Sequence, residues 1–176
     1  MKKLLLFVAT AVLLAVVADA KDQGSESTTF ITAVDLKAGN AAAADARLVS
    51  SGQPDEATLR AIADEGFTAV VDLRTETEDR GFDEQEAVNQ MGMVYASLPI
   101  SGAADVTFDN AAVLNHILAN YEGRILIHCA SGNRVGALFA LREKLLGAST
   151  DEALAAGQAA GLTRLESVVK ERLAEK

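Results

Sequence analysis

The chain is acidic and contains a single cysteine. Its 176 residues include 16 Lys and Arg against 25 Asp and Glu, which gives a formal net charge of −9, and Cys129 is the one cysteine. An acidic chain without a basic cluster is a poor candidate for binding nucleic acid or an anionic membrane, and it needs a local positive pocket to bind an anionic substrate. One cysteine also excludes an internal disulfide.

The first twenty residues have the pattern of a secretory signal peptide. Two lysines precede an apolar run from Leu4 to Val17, and Ala18-Asp19-Ala20 is a small-x-small cleavage site. The run is shorter than the ~20 residues that span a bilayer, so cleavage is favoured over a membrane anchor. We expect a signal peptide at 1–20, a partly flexible leader at 21–46 and one folded domain at 47–176, with no membrane attachment after cleavage and a periplasmic location.

Strand patterns alternate with helix patterns from Arg47 onward. Apolar, β-branched runs predict strands at RLVSSG, FTAVVDLR, MVYASLPI and RILIHC. Helical patterns with end signals occur at QPDEATLRAIADEG, FDEQEAVNQMG, TFDNAAVLNHILANYEG, NRVGALFALREKLLG, STDEALAAGQAAG and LTRLESVVKERLAEK. The alternation predicts a three-layer α/β fold with a mainly parallel central sheet of about four to five strands, flanked by helices.

Three helix starts carry specific signals. Pro54 is expected in the first turn of the first helix, where its missing N–H costs nothing. Ser149 with Glu152, and Thr163 with Glu166, have the spacing of capping boxes at the starts of the last two helices. These signals predict where three of the helices begin.

The cysteine lies where a parallel sheet is expected to bind its ligand. Such sheets bind ligands beyond the carboxyl ends of their strands. The segments SGQP, Asp72 to Arg74, PISGAAD and His128-Cys129 all follow predicted strands. We therefore expect these four segments to lie close together around the thiol.

The segment HCASGNR contains the parts of an anion site. Cys129 precedes a predicted helix, whose free N–H groups favour negative charge, and Arg134 adds a fixed positive charge; both favour the nucleophilic thiolate. The small residues Ala130, Ser131 and Gly132 allow backbone N–H groups to cradle an oxyanion, and the arginine can bind two of its oxygens as a fork. The pattern indicates attack by sulfur on a tetrahedral anion.

Three polar residues are interpreted as supports of this loop. His128 either orients the loop and tunes the thiol or bonds a nearby backbone group, and we favour the first role. Asp72 and Arg74 are expected to form an ion-pair network with Glu76 or Glu78, although Arg74 could instead add positive charge for the substrate. No metal and no other cofactor is expected, because the histidine and cysteine are adjacent and the sequence shows no other ligand cluster.

Several separated motifs resemble one family. The stretches SGQPDEATLRAIADEGFTAVVDLRTETED, MGMVYASLPISGAADVT, HCASGNR and LLGASTDEALAAGQAAGL, within residues 48–162, are similar to the protein-phosphatase-like domain of beta-lactamase hydrolase-like proteins. That family is a branch of the cysteine-dependent tyrosine and dual-specificity phosphatase superfamily. The resemblance implies a phosphatase-like fold and a cysteinyl-phosphate mechanism. Cys129 would be the nucleophile, Arg134 the phosphate clamp, and Ala130 to Asn133 the backbone donors.

The resemblance also implies a general acid on a loop before the cysteine. Asp105 is the best match for this acid, with a solvated loop carboxylate or a helix cap as its alternative role. Asp109 is a second candidate, although the helical pattern places it inside the next helix. The expected substrate is a phosphorylated protein or a small phosphate ester.

Two departures from the superfamily pattern keep other functions open. Four residues separate Cys129 from Arg134, where the phosphatase loop has five, and the shorter loop is similar to that of rhodanese-type sulfurtransferases. Val135 stands where phosphatases usually have Ser or Thr, so we expect slow breakdown of a phosphoenzyme. A sulfurtransferase or persulfide-handling enzyme, and a weakly active pseudophosphatase that binds an anion or a partner, are the alternatives.

Overall fold

The computed structural model describes Thr29–Phe30 and residues 47–175. The predicted signal peptide at 1–20, and the predicted leader apart from Thr29–Phe30, lie outside the described residues. Among the helices of the described part, none is long and apolar enough to cross a membrane.

A parallel sheet of five strands forms the middle layer. The strands are β1 (Thr29–Phe30), β2 (Leu48–Ser51), β3 (Phe67–Asp72), β4 (Val94–Ser97) and β5 (Arg124–His128). Their order is β1-β2-β5-β3-β4, and every pair is parallel. The predicted α/β architecture is confirmed, and the two residues of β1 add an edge strand from within the segment predicted as leader.

Helices cover both faces of this sheet. They are α1 (Glu56–Asp64), α2 (Glu84–Gln90), α3 (Phe108–Ala119), α4 (Asn133–Leu145), α5 (Thr150–Ala159) and α6 (Glu166–Ala174), with a 3-10 turn at Ala103–Asp105. One apolar cluster, which includes Leu59 and Val88, packs α1 and α2 on one face. Another, which includes Leu114 and Phe139, packs α3 and α4 on the other, and α5 and α6 pack against α4.

The central strand β5 explains why its sequence is continuously apolar. Ile125 and Ile127 point into the α3 and α4 cluster, whereas Leu126 points into the α1 and α2 cluster. A strand that is buried on both faces needs apolar side chains at every position, not at alternate ones. This burial fixes the level at which the strand ends, and so fixes the cysteine loop that follows it.

The start of α1 differs from the prediction. The helix begins at Glu56, and the Asp55 side chain is its N-cap, accepting from Thr58 N at 2.8 Å. Pro54 therefore precedes the cap, and its placement in the first helical turn is wrong. The Asp55 side chain satisfies an amide that the first turn leaves without an intrahelical acceptor. This cap therefore determines where the helix begins, and Pro54 does not.

The two predicted capping boxes have opposite outcomes. Ser149 and Glu152 form the predicted box at the start of α5. At α6 the prediction is wrong, because the helix begins with Leu165 at its N-cap position and no side-chain cap. The hydroxyl of Thr163 instead donates to Asn133 Oδ1 in the cysteine loop at 3.1 Å. A tertiary contact thus replaces the local one.

Glycine allows α4 and α5 to approach closely. A Cβ on Gly136 of α4 would lie 2.6 Å from the carbonyl oxygen of Gly157, and a Cβ on Gly157 would lie 2.7 Å from the Gly136 oxygen. Backbone atoms at these distances cannot move aside cheaply, so neither position accepts a side chain. The packing holds α4 at a fixed distance from the turn that joins α5 to α6.

Candidate active site

The carboxyl ends of the central strands bring the four predicted segments together. Leu73 N donates to His128 O at 2.9 Å, and Ile100 N donates to Leu73 O at 3.0 Å. Across the loop, Gln53 N donates to Ala130 O at 3.4 Å. These bonds confirm the predicted convergence of the strand ends around the cysteine.

The loop from Cys129 to α4 is built on two glycines. Gly132 stands at the N-cap of α4 with φ 79°, a left-handed conformation that favours glycine. Gly52 of the neighbouring loop approaches so closely that a Cβ there would lie 3.2 Å from Ala130 O. Cys129 is 1% exposed and lies near the N-terminus of α4, where amides without intrahelical acceptors favour negative charge.

Arg134 is held by a carboxylate that is distant in the sequence. Its Nη1 donates to Glu78 Oε1 at 2.6 Å and its Nη2 donates to Glu78 Oε2 at 2.8 Å, while Nη1 also donates to Ile100 O at 2.7 Å. These bonds lower the pKa of Glu78 far below its usual range and raise the pKa of Arg134. The guanidinium is therefore charged and fixed in orientation.

One edge of the Arg134 guanidinium remains available. Glu78 and Ile100 use both N–H groups of Nη1 and one of Nη2, and no oxygen atom of the described residues accepts from Nε. The remaining N–H groups, on Nε and Nη2, lie side by side, which is the geometry that binds two oxygens of one anion. The Cys129 side chain is a further cause of the raised Arg134 pKa, through its charge and through a side-chain hydrogen bond, so the guanidinium lies beside the sulfur.

Arg74 braces the same carboxylate from the other side. Its Nε donates to Glu78 Oε2 at 3.2 Å, its Nη1 donates to the Gln53 side chain, and its Nη2 donates to Asp79 O at 2.9 Å. Of the two glutamates that the sequence offered, Glu78 is thus the one that joins the network. The contacts support a bracing role for Arg74 rather than direct contact with a substrate.

Asp72 lies in a second, buried network, where its ion-pair partner is Arg80 and not Arg74 as predicted. Its Oδ1 accepts from Arg74 N at 2.7 Å, and its Oδ2 accepts from Arg80 Nε at 2.7 Å and from Tyr95 Oη at 2.8 Å. Burial and the bond to Asp72 raise the pKa of Tyr95 well above its usual value. This carboxylate therefore ties β3 to β4 and to the loop that carries Arg80.

His128 lies against carboxylates rather than a backbone group. Its Nε2 is 3.0 Å from Glu84 Oε1 and 3.6 Å from Asp72 Oδ1, and all three side chains are fully buried. Within the described residues these three form the one group whose ligand atoms lie within 4.8 Å of one another, which corrects the statement that no such cluster exists. Arg80 already supplies positive charge, at 2.6 Å from Asp72 and 3.7 Å from Glu84, so a metal-free site stays our prediction.

Asp105 is turned toward its own loop. Ser101 donates to Asp105 Oδ2 through its backbone N, at 2.8 Å, and through its hydroxyl. These bonds hold the pKa of Asp105 below its usual range. To act as a general acid, this carboxyl group must release Ser101 and take up a proton, so the catalytic role stays a prediction. Asp109 lies in the first turn of α3, as its pattern indicated.

Val135 has a structural explanation. It is fully buried on α4, in the cluster that includes Leu138, Leu114 and Ile127. The position after the arginine therefore belongs to the core in this chain. Valine contributes apolar packing at this position.

An open pocket lies in front of the arginine. It has a volume of 430 Å³ and is lined by Thr75, Glu78, Ser101, Gly102, Asn133, Arg134, Arg164 and Leu165. Asn133 Oδ1 accepts from Thr163 N at 2.8 Å and from Leu165 N at 3.2 Å, in addition to the Thr163 hydroxyl. The first residue of α4 thus holds the turn before α6 at the rim of the pocket.

The sequence missed three contributors to this site. Glu78 was offered only as a partner of Arg74, whereas its shortest contacts are with Arg134. Asn133 was expected to contribute only its backbone, yet its side chain holds the α5–α6 turn. Arg164 carried no signal, because nothing local distinguishes it from a surface arginine of the last helices.

Comparison with known proteins identifies the family. A family model described as DSP-PTPase phosphatase fused to NAD+ kinase matches residues 27–174, which is most of the chain. The chain belongs to this family. Beta-lactamase hydrolase-like proteins of Xylella fastidiosa and Agrobacterium fabrum are 34% and 30% identical over 120 and 105 residues, or 65% and 57% of this chain. The matches span 28% and 24% of those relatives, so this phosphatase domain corresponds to about a quarter of their length.

Solved phosphatase structures share the fold. A candidate phosphatase from Neisseria meningitidis Z2491 aligns with a TM-score of 0.61 and 21% identity, covering 73% of this chain and 95% of its own. The phosphatase Tk-PTP in its active form aligns with a TM-score of 0.56 and 22% identity, covering 76% and 95%. The kinase-associated phosphatase aligns with a TM-score of 0.53 and 17% identity, covering 73% of this chain and 87% of its own. These likenesses confirm the phosphatase fold.

Proposed function

We propose that the protein is an exported phosphoric monoester hydrolase of the tyrosine and dual-specificity type that acts through a cysteinyl-phosphate. The observation that carries the proposal is the edge of Arg134, beside Cys129, that no oxygen of the described residues occupies. Glu78 occupies the end of the guanidinium, and the side-by-side N–H groups on Nε and Nη2 remain for two phosphate oxygens. Family membership supports a phosphatase-type hydrolase independently of this geometry.

The proposed reaction has two displacements at phosphorus. The Cys129 thiolate attacks, an S–P bond forms, the ester P–O bond breaks, and the leaving oxygen takes a proton from a general acid. Water then attacks phosphorus, the S–P bond breaks, and inorganic phosphate leaves with the thiolate restored. Arg134 and the amides of the first turn of α4 stabilise the charge on the equatorial oxygens in both steps. Asp105 is the proposed acid after a rotation away from Ser101.

The substrate, metal independence and location belong to the same proposal. A pocket of 430 Å³ that is open to solvent suits either a phosphorylated side chain of a protein or a small phosphate ester. The reaction as written requires no metal ion, since Arg134 and backbone amides supply the positive charge. Export to the periplasm is supported by the signal-peptide pattern of residues 1–20 alone, and N-terminal sequencing of the protein from a periplasmic fraction tests it.

Sulfur transfer is the second candidate, and one specific feature favours it. Only four residues separate Cys129 from Arg134, which narrows the anion cradle relative to the phosphatase loop. A narrower cradle suits a persulfide on the cysteine better than a phosphoryl group. The Cys129 thiolate would then take the outer sulfur of thiosulfate, with release of sulfite, and pass it to cyanide as thiocyanate.

One paired assay separates the two reactions. The native protein and Cys129→Ser are compared on phenyl phosphate and on thiosulfate with cyanide, with a melting curve of each to verify folding. We expect the native protein to release phosphate and the variant to show only background. Phosphate release that survives the substitution would contradict the mechanism. Thiocyanate formation without phosphate release would replace it with the second candidate, whereas anion binding without either reaction would indicate a pseudophosphatase.

A further inference from the structure

Arg164 is the one arginine of the pocket whose side chain is not engaged by the protein. It lies between α5 and α6, is exposed, and lines the same pocket as Arg134. Among the described residues, no hydrogen bond or ion pair involves its side chain. The nearest acid on α6, Glu166, is taken by Lys170 at 2.6 Å and by Gln158 at 3.2 Å. The guanidinium is therefore available to an incoming group.

The turn that carries Arg164 is fixed to the anion loop. Asn133, the first residue of α4, accepts from the amides on both sides of this arginine, those of Thr163 and Leu165, and from the Thr163 hydroxyl. Asn133 is itself buried. Three hydrogen bonds to one buried oxygen give the turn a set position relative to Arg134. The placement of Arg164 at the pocket is thus built into the loop that would hold the phosphate.

The charge balance of the pocket is opposite to that of the chain. The chain carries a net charge of −9, yet the pocket lining contains two guanidinium groups and one carboxylate, that of Glu78. Arg134 and Arg74 already neutralise this carboxylate. An unpaired cation that lines the same pocket as Arg134 attracts a second negative group.

We propose that Arg164 binds a second anionic group of the substrate. The substrate class is then a phosphate monoester that carries a carboxylate or another phosphate close to the scissile ester, with Arg134 on the reacting phosphoryl group and Arg164 on the other anion. This inference rests on the proposed phosphatase function and adds a specificity-determining residue to it. Asn133 is a positioning residue, since it acts through the turn.

Matched substrates measure this preference. Phenyl phosphate, 3-carboxyphenyl phosphate and the 1,3-bisphosphate of resorcinol share one aromatic ring and differ in the second anion. We expect the native protein to favour at least one doubly anionic ester over phenyl phosphate in kcat/KM by about fivefold, the size of an exposed charge contact. Arg164→Gln should bring that ratio to about one, and Arg164→Lys should keep most of it. If this kcat/KM ratio were equal in the native protein and in Arg164→Gln, the inference would be overturned. The ester with the higher kcat/KM shows whether the second anion is a carboxylate or a phosphate.

Two controls separate this inference from the proposed chemistry. Arg60→Gln removes the same charge from an exposed position on α1, outside the pocket, and should keep the native ratio. The same three esters are titrated by calorimetry into Cys129→Ser, with and without Arg164→Gln, which reports binding without turnover. A Kd preference that depends on Arg164 supports the inference even if the native protein hydrolyses no ester. Turnover without an Arg164-dependent preference, or no binding of any ester, overturns it.

Discussion

Two networks of arginine and carboxylate lie beside the cysteine loop, and they differ in what they leave free. The buried network consists of Asp72, Arg80, Glu84 and His128, and both Asp72 oxygens already have protein donors. The pocket network consists of Glu78, Arg74 and Arg134, is partly exposed, and leaves one guanidinium edge that donates to no oxygen of the described residues. In the buried network each guanidinium nitrogen of Arg80 donates to an oxygen of the protein, whereas in the pocket network one edge of Arg134 donates to no oxygen of the described residues.

The position of Glu78 on Arg134 leaves room for an anion on the other edge of the guanidinium. A carboxylate on the Nε edge would compete with phosphate, whereas one on the Nη1 and Nη2 end fixes the guanidinium plane and leaves the other edge without a carboxylate. Preorganised donors need no rearrangement when charge develops in the transition state. Glu78 therefore fixes the orientation of Arg134 without occupying the edge that we propose binds the phosphoryl group.

The largest expected effect comes from removing the open edge. Arg134→Lys keeps the charge but loses the side-by-side donors, so kcat/KM on phenyl phosphate should fall by about 10²–10³, as when one transition-state donor is removed. The melting temperature should change little, because the introduced ammonium can still pair with Glu78. Steady-state kinetics and a thermal melt measure both. Arg60→Lys is the matched control, and a loss below about threefold for Arg134→Lys would refute the clamp role.

Substitution of the arginine in the buried network should lower stability. Arg80→Met leaves Asp72 and Glu84 buried without their cation, so the free energy of unfolding should fall by about 3 kcal/mol. Denaturant unfolding measures this loss, and Arg80→Lys should restore a good part of it by keeping the charge. An unchanged free energy of unfolding in Arg80→Met would show that the carboxylates are stabilised by something other than this arginine.

The positions of the strands, the helices and Cys129 could be predicted from the sequence, whereas the side-chain partners within the two networks could not. Strand and helix positions follow from apolar periodicity, and the junction of β5 with α4 follows from the order of elements, so the place of Cys129 was predictable. The pairing of Glu78 with Arg134 joins positions 56 residues apart, which no local spacing encodes. Thr163 had the spacing of a cap, yet the nearby Asn133 oxygen decided its partner. Local signals fail where a tertiary partner competes for the same side chain.

The smallest expected effect, and the most specific one, is the pH dependence of the pocket network. The pKa of Glu78 is lowered on folding, chiefly by its hydrogen bonds with Arg134, so the charged form stabilises the folded state. This stabilisation is complete above the ordinary pKa of 4.5 and is lost as the pH falls toward the lower folded value. We expect Glu78→Gln to lower the free energy of unfolding by about 1 kcal/mol between pH 5 and 7. Below pH 4.5 the gap between native protein and variant should shrink.

Denaturant unfolding from pH 3 to 7 tests this profile, and the neighbouring glutamate provides its control. Glu76 is exposed and lies in the same loop, so Glu76→Gln removes an equal charge without touching Arg134. If both variants followed the same pH profile, the effect would be one of net charge and not of the Glu78–Arg134 pair. A gap that is specific to Glu78→Gln and narrows as the pH falls below 4.5 identifies the pair itself, because only a carboxylate with a lowered folded-state pKa loses its stabilisation in that direction.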